Sequence, residues 1–251
     1  MRLARSAVPA NEPLVARSSA LSVLARSRTG ASEPFFSRTY CTAGGAAGMD
    51  GVCEEEPLWV FGYGSLVWKP GVEHTASRVV CLHDWRRVFH QGSTDHRGTP
   101  GSPGRVVTLV RETGAVTWGR ALRLPPPGES RQAALDYLEE REKQYDVRLR
   151  APLHDGAQTG SLIGGSLLTE RALLYVASSD RTQNANYLGP APLADIARTV
   201  AGAVGPSGAN SAYVFRLASA MREMSKCDEE LFQLEALVLQ IQAQALTPAE
   251  T

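Results

Sequence analysis

The stretch LWVFGYGSL, residues 58–66, joins a short apolar run directly to a loop that contains two glycines. Its first four residues predict a buried strand, because the apolar run is brief and ends at a glycine. Gly62 and Gly64 lie two residues apart and can adopt positive φ, so we expect successive backbone N–H groups to face one concavity. Such a concavity favours a carboxylate, or an oxygen that gains negative charge during a reaction. Tyr63 and Ser65 add hydroxyl groups to the same wall.

Other glycine-loop motifs do not fit this stretch. The third glycine of the dinucleotide-binding fingerprint would fall at Val67. No Gly-Lys-Ser/Thr follows, as a P-loop requires, and Ser65 lacks the flanking glycines of a hydrolase nucleophile elbow. A tight turn after a core strand, with no further function, remains the alternative interpretation.

The rest of the chain alternates predicted strands with loops before it becomes helical. The spacing of the strands favours an antiparallel or mixed sheet, which a small closed barrel would satisfy. Predicted strands cover 78–90, 105–110, 116–124 and 172–177, with a turn at 112–114 and loops at 91–104 and 149–161. Predicted helices cover 131–145, 193–204 and 211–224, and another begins after Asp228 as its cap.

The predicted helix 131–145 carries a carboxylate in its apolar stripe. Leu135, Leu138, Glu142 and Tyr145 have the spacing i, i+3, i+7 and i+10, which places them on one helix face. Desolvation on that face would raise the pKa of Glu142 and make it a better base near neutral pH.

A purely structural role for Glu142 is equally compatible with this periodicity. The carboxylate could instead pair with a buried arginine, for which Arg87 and Arg105 are the candidates. The pattern alone does not separate a catalytic base from such an ion pair.

Composition excludes several classes of function. The 251 residues contain 26 Lys plus Arg and 26 Asp plus Glu, and no basic cluster is interleaved with aromatic residues, so we expect no nucleic-acid partner. No apolar run has the length of a membrane span, so we expect no membrane partner. The four cysteines form no C-x-x-C pair and have no neighbouring histidine at ligand spacing, which argues against zinc.

The first 48 residues differ from the remainder. They contain six Arg, no Lys and only two acidic residues, and they are rich in Ser, which is typical of an organelle transit peptide. The alternatives are a disordered extension or an upstream stretch that is not translated, in which case Met49 is a second plausible start. We therefore assign 1–56 to an extension or transit peptide and 57–245 to the folded domain, and we expect a cytosolic monomer, or a mitochondrial protein if 1–48 act as a transit peptide.

Five blocks of the chain, in this order, resemble the signature of the ChaC family of glutathione-specific γ-glutamylcyclotransferases. They are VFGYGSLVW at 60–68, QGSTDHRGTP with PGRVVTL across 91–109, Tyr137-Leu138 with Arg141-Glu142, YLGPAPL at 187–193, and GPSG at 205–208. The resemblance extends from about 58 to 240. Two segments depart from the family pattern: 1–57 has no counterpart, and 149–170 is longer and richer in glycine.

The resemblance implies an α+β fold, a small mixed β-barrel flanked by helices. It also implies conversion of reduced glutathione to 5-oxoproline and cysteinylglycine without cofactor or metal, with Glu142 as the proton acceptor. The residues that it implies bind the γ-glutamyl group are Val60, Phe61, Gly62, Tyr63, Gly64 and Ser65. Tyr187 is a further candidate for substrate binding, or else a packing tyrosine.

Three rival functions remain open at this point. A γ-glutamylamine cyclotransferase of the same fold would act on lysine-derived isopeptides, and a non-catalytic binding module would keep only the pocket. A serine hydrolase would need a triad of Ser65, His96 and Asp95. Adjacent Asp and His residues in a loop rarely point together, so we expect loop-ordering hydrogen bonds and a contact between Asp95 and Arg97 instead.

Overall fold

The computed structural model describes residues 56–156 and 165–246. The predicted extension therefore lies outside the described residues except for its last residue, Glu56, and so does the middle of the glycine-rich segment 149–170. None of the helices within these ranges has the length and apolarity needed to cross a bilayer.

Five strands form a closed barrel in the order β1-β3-β2-β4-β5. They are β1 (Trp59–Gly62), β2 (Ala76–Ser93), β3 (Gly104–Arg123), β4 (Val147–Asp155) and β5 (Leu167–Val176). The barrel closes through a parallel contact between β5 and β1, whereas every other pairing in it is antiparallel. The expected mixed barrel is thus confirmed.

Strand β3 runs straight through the segment where a turn was predicted. Gly114 has φ +81° and donates its N–H to the Asp84 carboxylate at 2.8 Å, while Asp84 itself has φ 60°. The register with β2 slips here, because His83 pairs with Val116 but Trp85 pairs with Arg111. The turn-forming residues therefore make an irregularity inside a long hairpin and do not end the strand.

A second correction concerns β4. Residues 149–161 were predicted to be a loop, but Leu149 to Asp155 belong to this strand. Strand β4 pairs with β5 over most of its length and has two register shifts between Ala151 and His154. Val147, Leu149, Ala151 and Leu153 alternate with Arg148, Arg150, Pro152 and His154, so the period of two was present in the sequence and the loop prediction overlooked it.

Four α-helices follow or interrupt the barrel strands. They are α1 (Glu129–Arg141), α2 (Leu193–Gly202), α3 (Asn210–Glu223) and α4 (Glu229–Leu246). Between α2 and α3 lies a two-stranded hairpin, β6 (Val204–Gly205) with β7 (Gly208–Ala209). The Asp228 carboxylate accepts the Leu231 N–H at 3.1 Å, which confirms the predicted cap of α4. Helix α1 ends four residues earlier than predicted, and Glu142 occupies its C-terminal cap position.

Strand β1 separates two hydrophobic cores. Its side chains alternate between faces, so Phe61 packs into the core shared with α2, α3 and α4. Val60 faces the other way, into the core beneath α1 that contains Leu135 and Leu138. Because the apolar face of α1 is held on this second core, the end of the helix is fixed beside the loop that follows β1.

Candidate active site

A cavity of about 350 Å³ lies where the loop after β1, the end of α1 and helix α3 meet. A short 3-10 helix, Ser65–Val67, follows the glycine loop at one wall. The polar and charged residues that line the cavity are Tyr63, Ser65, Lys69, Ser93, His96, Arg97, Tyr137, Arg141, Glu142, Gln144, Tyr145, Tyr175, Ser207, Tyr213 and Arg216. Aromatic side chains and cations therefore dominate its surface.

The two loop glycines are required by close contacts and not by positive φ. Gly64 has φ −121°, and neither it nor Gly62 is among the glycines with positive φ, so the predicted conformation is wrong. A Cβ on Gly62 would lie 2.6 Å from the Leu66 Cβ, and one on Gly64 would lie 2.9 Å from the Tyr213 hydroxyl. The glycines thus let the loop fold tightly on itself and let α3 approach it.

Glu142 enters the cavity from the cap of α1, and only 13% of its side chain is exposed. Of the described residues that line the cavity, it is the only acid. Burial raises the pKa of the Glu142 carboxyl group, and the charges of Arg141 and His96 oppose this effect in part. The result is a carboxylate whose affinity for a proton exceeds that of an ordinary surface Glu.

The alternative that Glu142 pairs with Arg87 or Arg105 is wrong. Arg87 donates to the Asp228 carboxylate at 2.5 Å. Arg105 donates to the backbone oxygens of Phe89 and Gly189, each at 2.8 Å. The nearest cation to Glu142 is instead its neighbour Arg141, with Nε 3.5 Å from Oε1.

Arg141 ties the glycine loop to the end of α1. Its Nη2 donates to the Ser65 hydroxyl at 2.9 Å, and its Nη1 donates to the Pro70 backbone oxygen at 2.7 Å. Two adjacent residues thus have different tasks, since Arg141 fixes the loop while Glu142 faces the cavity. Sequence reasoning quoted Arg141 in a motif but missed this positioning role.

Two buried tyrosines, Tyr63 and Tyr213, and the partly buried Tyr145 line the cavity together with the carboxylate. The hydroxyl of Tyr63 donates to the Tyr175 backbone oxygen at 2.6 Å, and that of Tyr145 donates to the Val107 backbone oxygen at 2.8 Å. Tyr213 comes from α3, and its hydroxyl accepts the Val107 N–H at 3.4 Å. Burial raises the pKa of all three phenols, so they are neutral at physiological pH.

Three cations besides Arg141 line the cavity: Lys69, Arg97 and Arg216. Neither Lys69 nor Arg216 forms an ion pair with an acid in the described part of the chain. Burial and the charge of Arg216 lower the pKa of Arg97, and both residues line the cavity. Like charges at one surface favour an anionic ligand.

The contacts of the segment Asp95-His96-Arg97 differ from those that the sequence predicted. The His96 ring contacts the Asp95 carboxylate at 2.6 Å, so the argument that neighbouring Asp and His residues point apart is wrong here. Arg97 does not pair with Asp95 but donates to the backbone oxygens of Ser207 and Ala209. The Ser65 hydroxyl accepts from Arg141 and forms no hydrogen bond with His96 among the described residues, so the geometry does not support a triad.

Comparison with known proteins agrees with this geometry. The profile of the ChaC-like protein family matches residues 58–241. This chain belongs to the ChaC-like family. It is 43% identical over 178 residues to γ-glutamylcyclotransferase 2-3 of Arabidopsis thaliana, a match that covers 70% of this chain and 86% of the relative. It is 40% identical over 172 residues to glutathione-specific γ-glutamylcyclotransferase 1 of Homo sapiens, covering 67% and 72%.

A solved structure supports the same assignment of this ChaC-like chain. The crystal structure of the yeast γ-glutamyl cyclotransferase specific to glutathione, in selenomethionine-labelled form, superposes with a TM-score of 0.68 at 26% identity. The superposition covers 77% of this chain and 100% of the yeast chain. The barrel and its helices are therefore those of a γ-glutamylcyclotransferase.

The site residues predicted for this ChaC-like protein do not all reach the cavity. Phe61, Tyr63, Gly64, Ser65 and Glu142 line it together. Val60, Gly62 and Tyr187 are not among the residues that line it.

Tyr187 contacts β2 at His90 and Gln91. Its hydroxyl is 3.4 Å from Nδ1 of His90, and its backbone forms a bridge with Gln91. Its role in substrate binding stays a prediction.

No cluster of three or more His, Cys, Asp or Glu side chains in the described ranges has the arrangement of a metal site.

Proposed function

We propose that this protein is a glutathione-specific γ-glutamylcyclotransferase, which converts reduced glutathione to 5-oxoproline and L-cysteinylglycine. The observation that carries the proposal is the buried Glu142, the single acid among the described residues that line the cavity. The membership of the family and the names of its relatives point to the same reaction.

The chemistry needs a base at this position. The α-amine of the glutamyl residue attacks its own γ-carbonyl carbon, a new C–N bond closes a five-membered lactam, and the C–N bond to cysteine breaks. The amine attacks only when neutral, yet it is largely protonated at neutral pH. Glu142 accepts the proton of the amine and can return it to the leaving nitrogen, so that the protons balance over the cycle.

The raised pKa of Glu142 suits both steps. A carboxylate with an ordinary pKa is a weak base near neutral pH, whereas burial strengthens it. Because the Glu142 side chain is held at the cap of α1 beside the anchored glycine loop, the amine and carbonyl can be oriented without large rearrangement. Such orientation contributes several kcal/mol to the lowering of a barrier, on the order of 7–11 kcal/mol in the best intramolecular cases.

The cations of the cavity match the charge of the substrate. Glutathione carries two carboxylates, one on the glutamyl residue and one on glycine. Lys69, Arg97 and Arg216 line the same cavity as Glu142 and can neutralise these groups. The arrangement therefore places a proton acceptor and anion-binding groups within one space of about 350 Å³.

The cations and the desolvated Glu142 carboxylate disfavour the two remaining rival functions, the γ-glutamylamine cyclotransferase and the binding module. Nε-γ-glutamyl-lysine also has two carboxylates, but the α-ammonium group of its lysine adds a positive charge that the cations of the cavity would repel. A binding module would have no need for a desolvated carboxylate, which is unfavourable for the stability of the fold.

Incubation of the purified full-length chain with reduced glutathione tests the proposal. We expect equimolar 5-oxoproline and cysteinylglycine by mass spectrometry, and little product from Nε-γ-glutamyl-lysine under the same conditions. Faster release of 5-oxoproline from the lysine isopeptide would favour the rival amine cyclotransferase. Tight glutathione binding with no product would favour a binding module.

We further propose that the enzyme acts in the cytosol as a monomer. Among the described residues Cys81 and Cys227 are free thiols, which fits a reducing compartment. Microscopy of the full-length chain beside a chain that starts at Met49 tests the location. Mitochondrial staining of the longer chain alone would show that the first 48 residues direct import.

A further inference from the structure

Among the five tyrosines that line the cavity, Tyr63, Tyr145 and Tyr213 differ in what their hydroxyl protons do. Tyr63 and Tyr145 each donate to a backbone oxygen, at 2.6 and 2.8 Å. The oxygen of Tyr213 accepts the Val107 N–H, but its O–H donates to no group among the described residues. Of the three, Tyr213 alone keeps a proton that is available for a ligand.

The position of this hydroxyl is fixed beside the glycine loop. A Cβ built on Gly64 would lie 2.9 Å from the Tyr213 oxygen, so the hydroxyl is directly against the loop. The Trp68 ring packs edge-on against the Tyr213 ring with centroids 5.4 Å apart. Together with the bond from Val107, these contacts hold the phenol in place before any ligand binds.

The charges around Tyr213 keep it a neutral donor close to the base. Burial raises the pKa of its phenol, and the negative charge of Glu142 raises it further. The hydrogen bond from Val107 and the charges of Arg87 and Arg97 lower that pKa in part. Because Glu142 and Tyr213 line the same cavity of about 350 Å³, one bound substrate can contact both side chains.

We propose that the Tyr213 hydroxyl donates a hydrogen bond to the γ-carbonyl oxygen of the substrate and stabilises the oxyanion that forms when the amine attacks. The proposal rests on the proposed function. The proton stays on Tyr213 throughout, because Glu142 carries the proton of the amine. The hydrogen bond from the Tyr213 hydroxyl becomes stronger as negative charge develops on the carbonyl oxygen, so it stabilises mainly the transition state.

Tyr213→Phe removes the donor and keeps the ring. We expect kcat to fall about 10²–10³-fold, as for the loss of one oxyanion donor, with KM little changed. Tyr145→Phe is the matched comparison, since that hydroxyl donates to the Val107 backbone oxygen. It should lower the melting temperature more and kcat much less.

Two readouts separate this role from a structural one. The acid limb of the pH profile of kcat reports the titration of Glu142, and it should not move in Tyr213→Phe. If Tyr213 only positioned Glu142, its replacement would shift that limb. Replacement of Tyr213 by fluorotyrosines keeps the shape and makes the phenol a stronger donor, so kcat should rise as the phenol becomes more acidic. This second series also tests the proposal if the phenylalanine variant does not fold.

The outcomes distinguish this proposal from the proposed function. Near-normal kcat in Tyr213→Phe, while Glu142→Gln is inactive, would overturn the donor role and leave the function intact. A flat response to fluorination would overturn it as well. No 5-oxoproline from the wild-type chain would overturn both.

Discussion

Replacement of Glu142 by glutamine removes the proposed base and preserves the shape of the side chain. The described cavity lining offers no second acid that could take over. A general base contributes about 10²–10⁴-fold to a rate. At about 1.36 kcal/mol for each factor of ten, the loss raises the barrier by about 3–5 kcal/mol.

The assay follows 5-oxoproline release at saturating glutathione, and calorimetry measures the Kd for glutathione. We expect kcat to fall by that factor while the Kd changes little, because the cations and the glycine loop are untouched. Glu140→Gln is the matched control, since Glu140 lies on the same helix, is exposed, pairs with Lys143 and does not line the cavity. Turnover near the wild-type rate in Glu142→Gln would refute the assignment of the base.

Glu142→Gln should lose activity but gain stability at neutral pH. Burial raises the pKa of Glu142, so the folded state binds its proton more tightly than the unfolded state does. Stability therefore falls as pH rises from the ordinary Glu pKa through the raised folded value. At neutral pH the wild type carries this cost and Glu142→Gln does not, so the variant should melt at a higher temperature.

The pH dependence provides an internal check on this reasoning. The difference in melting temperature should shrink at pH values below the ordinary Glu range, where the carboxyl group is protonated in both states. The acid limb of kcat/KM in the wild type should lie above that range. An acid limb at the pKa of an exposed Glu would contradict the desolvation argument.

Three further variants test other parts of the structure. Gly64→Ala puts a methyl group 2.9 Å from the Tyr213 hydroxyl, so kcat should fall and the free energy of unfolding should drop by about 1–3 kcal/mol. The control is Gly101→Ala, whose added methyl group meets nothing within 4 Å, so its melting temperature and kcat should match those of the wild type. Arg216→Gln should raise KM for glutathione and weaken its dependence on ionic strength, and an unchanged KM in a salt titration would argue against a role in anion binding. Asp228→Ala should lower the free energy of unfolding, measured in urea, by about 3 kcal/mol, because the buried Arg87 loses its partner. Asp228→Asn also loses the ion pair but can still cap α4, so its loss should be smaller by about 1 kcal/mol.

The sequence by itself determined the family and singled out Glu142 as the candidate base. Five blocks in one order were enough to recognise ChaC-like proteins, and the family profile confirms them. The apolar spacing in the predicted helix 131–145 placed Glu142 on a buried face, and in the structure only 13% of its side chain is exposed. Helices α2 and α3 and the Asp228 cap were also predicted, because local periodicity and capping report directly on helices.

The tertiary structure alone decided which groups meet at the site. Strand β3 continues through its glycine because Asp84, 30 residues earlier, accepts the Gly114 N–H. Gly64 is a glycine because the Tyr213 hydroxyl, from a helix almost 150 residues later, occupies the space of a side chain. Hydrogen bonds and contacts between distant segments leave no period in the sequence, so the donors and cations around Glu142 became visible only when the chain was folded.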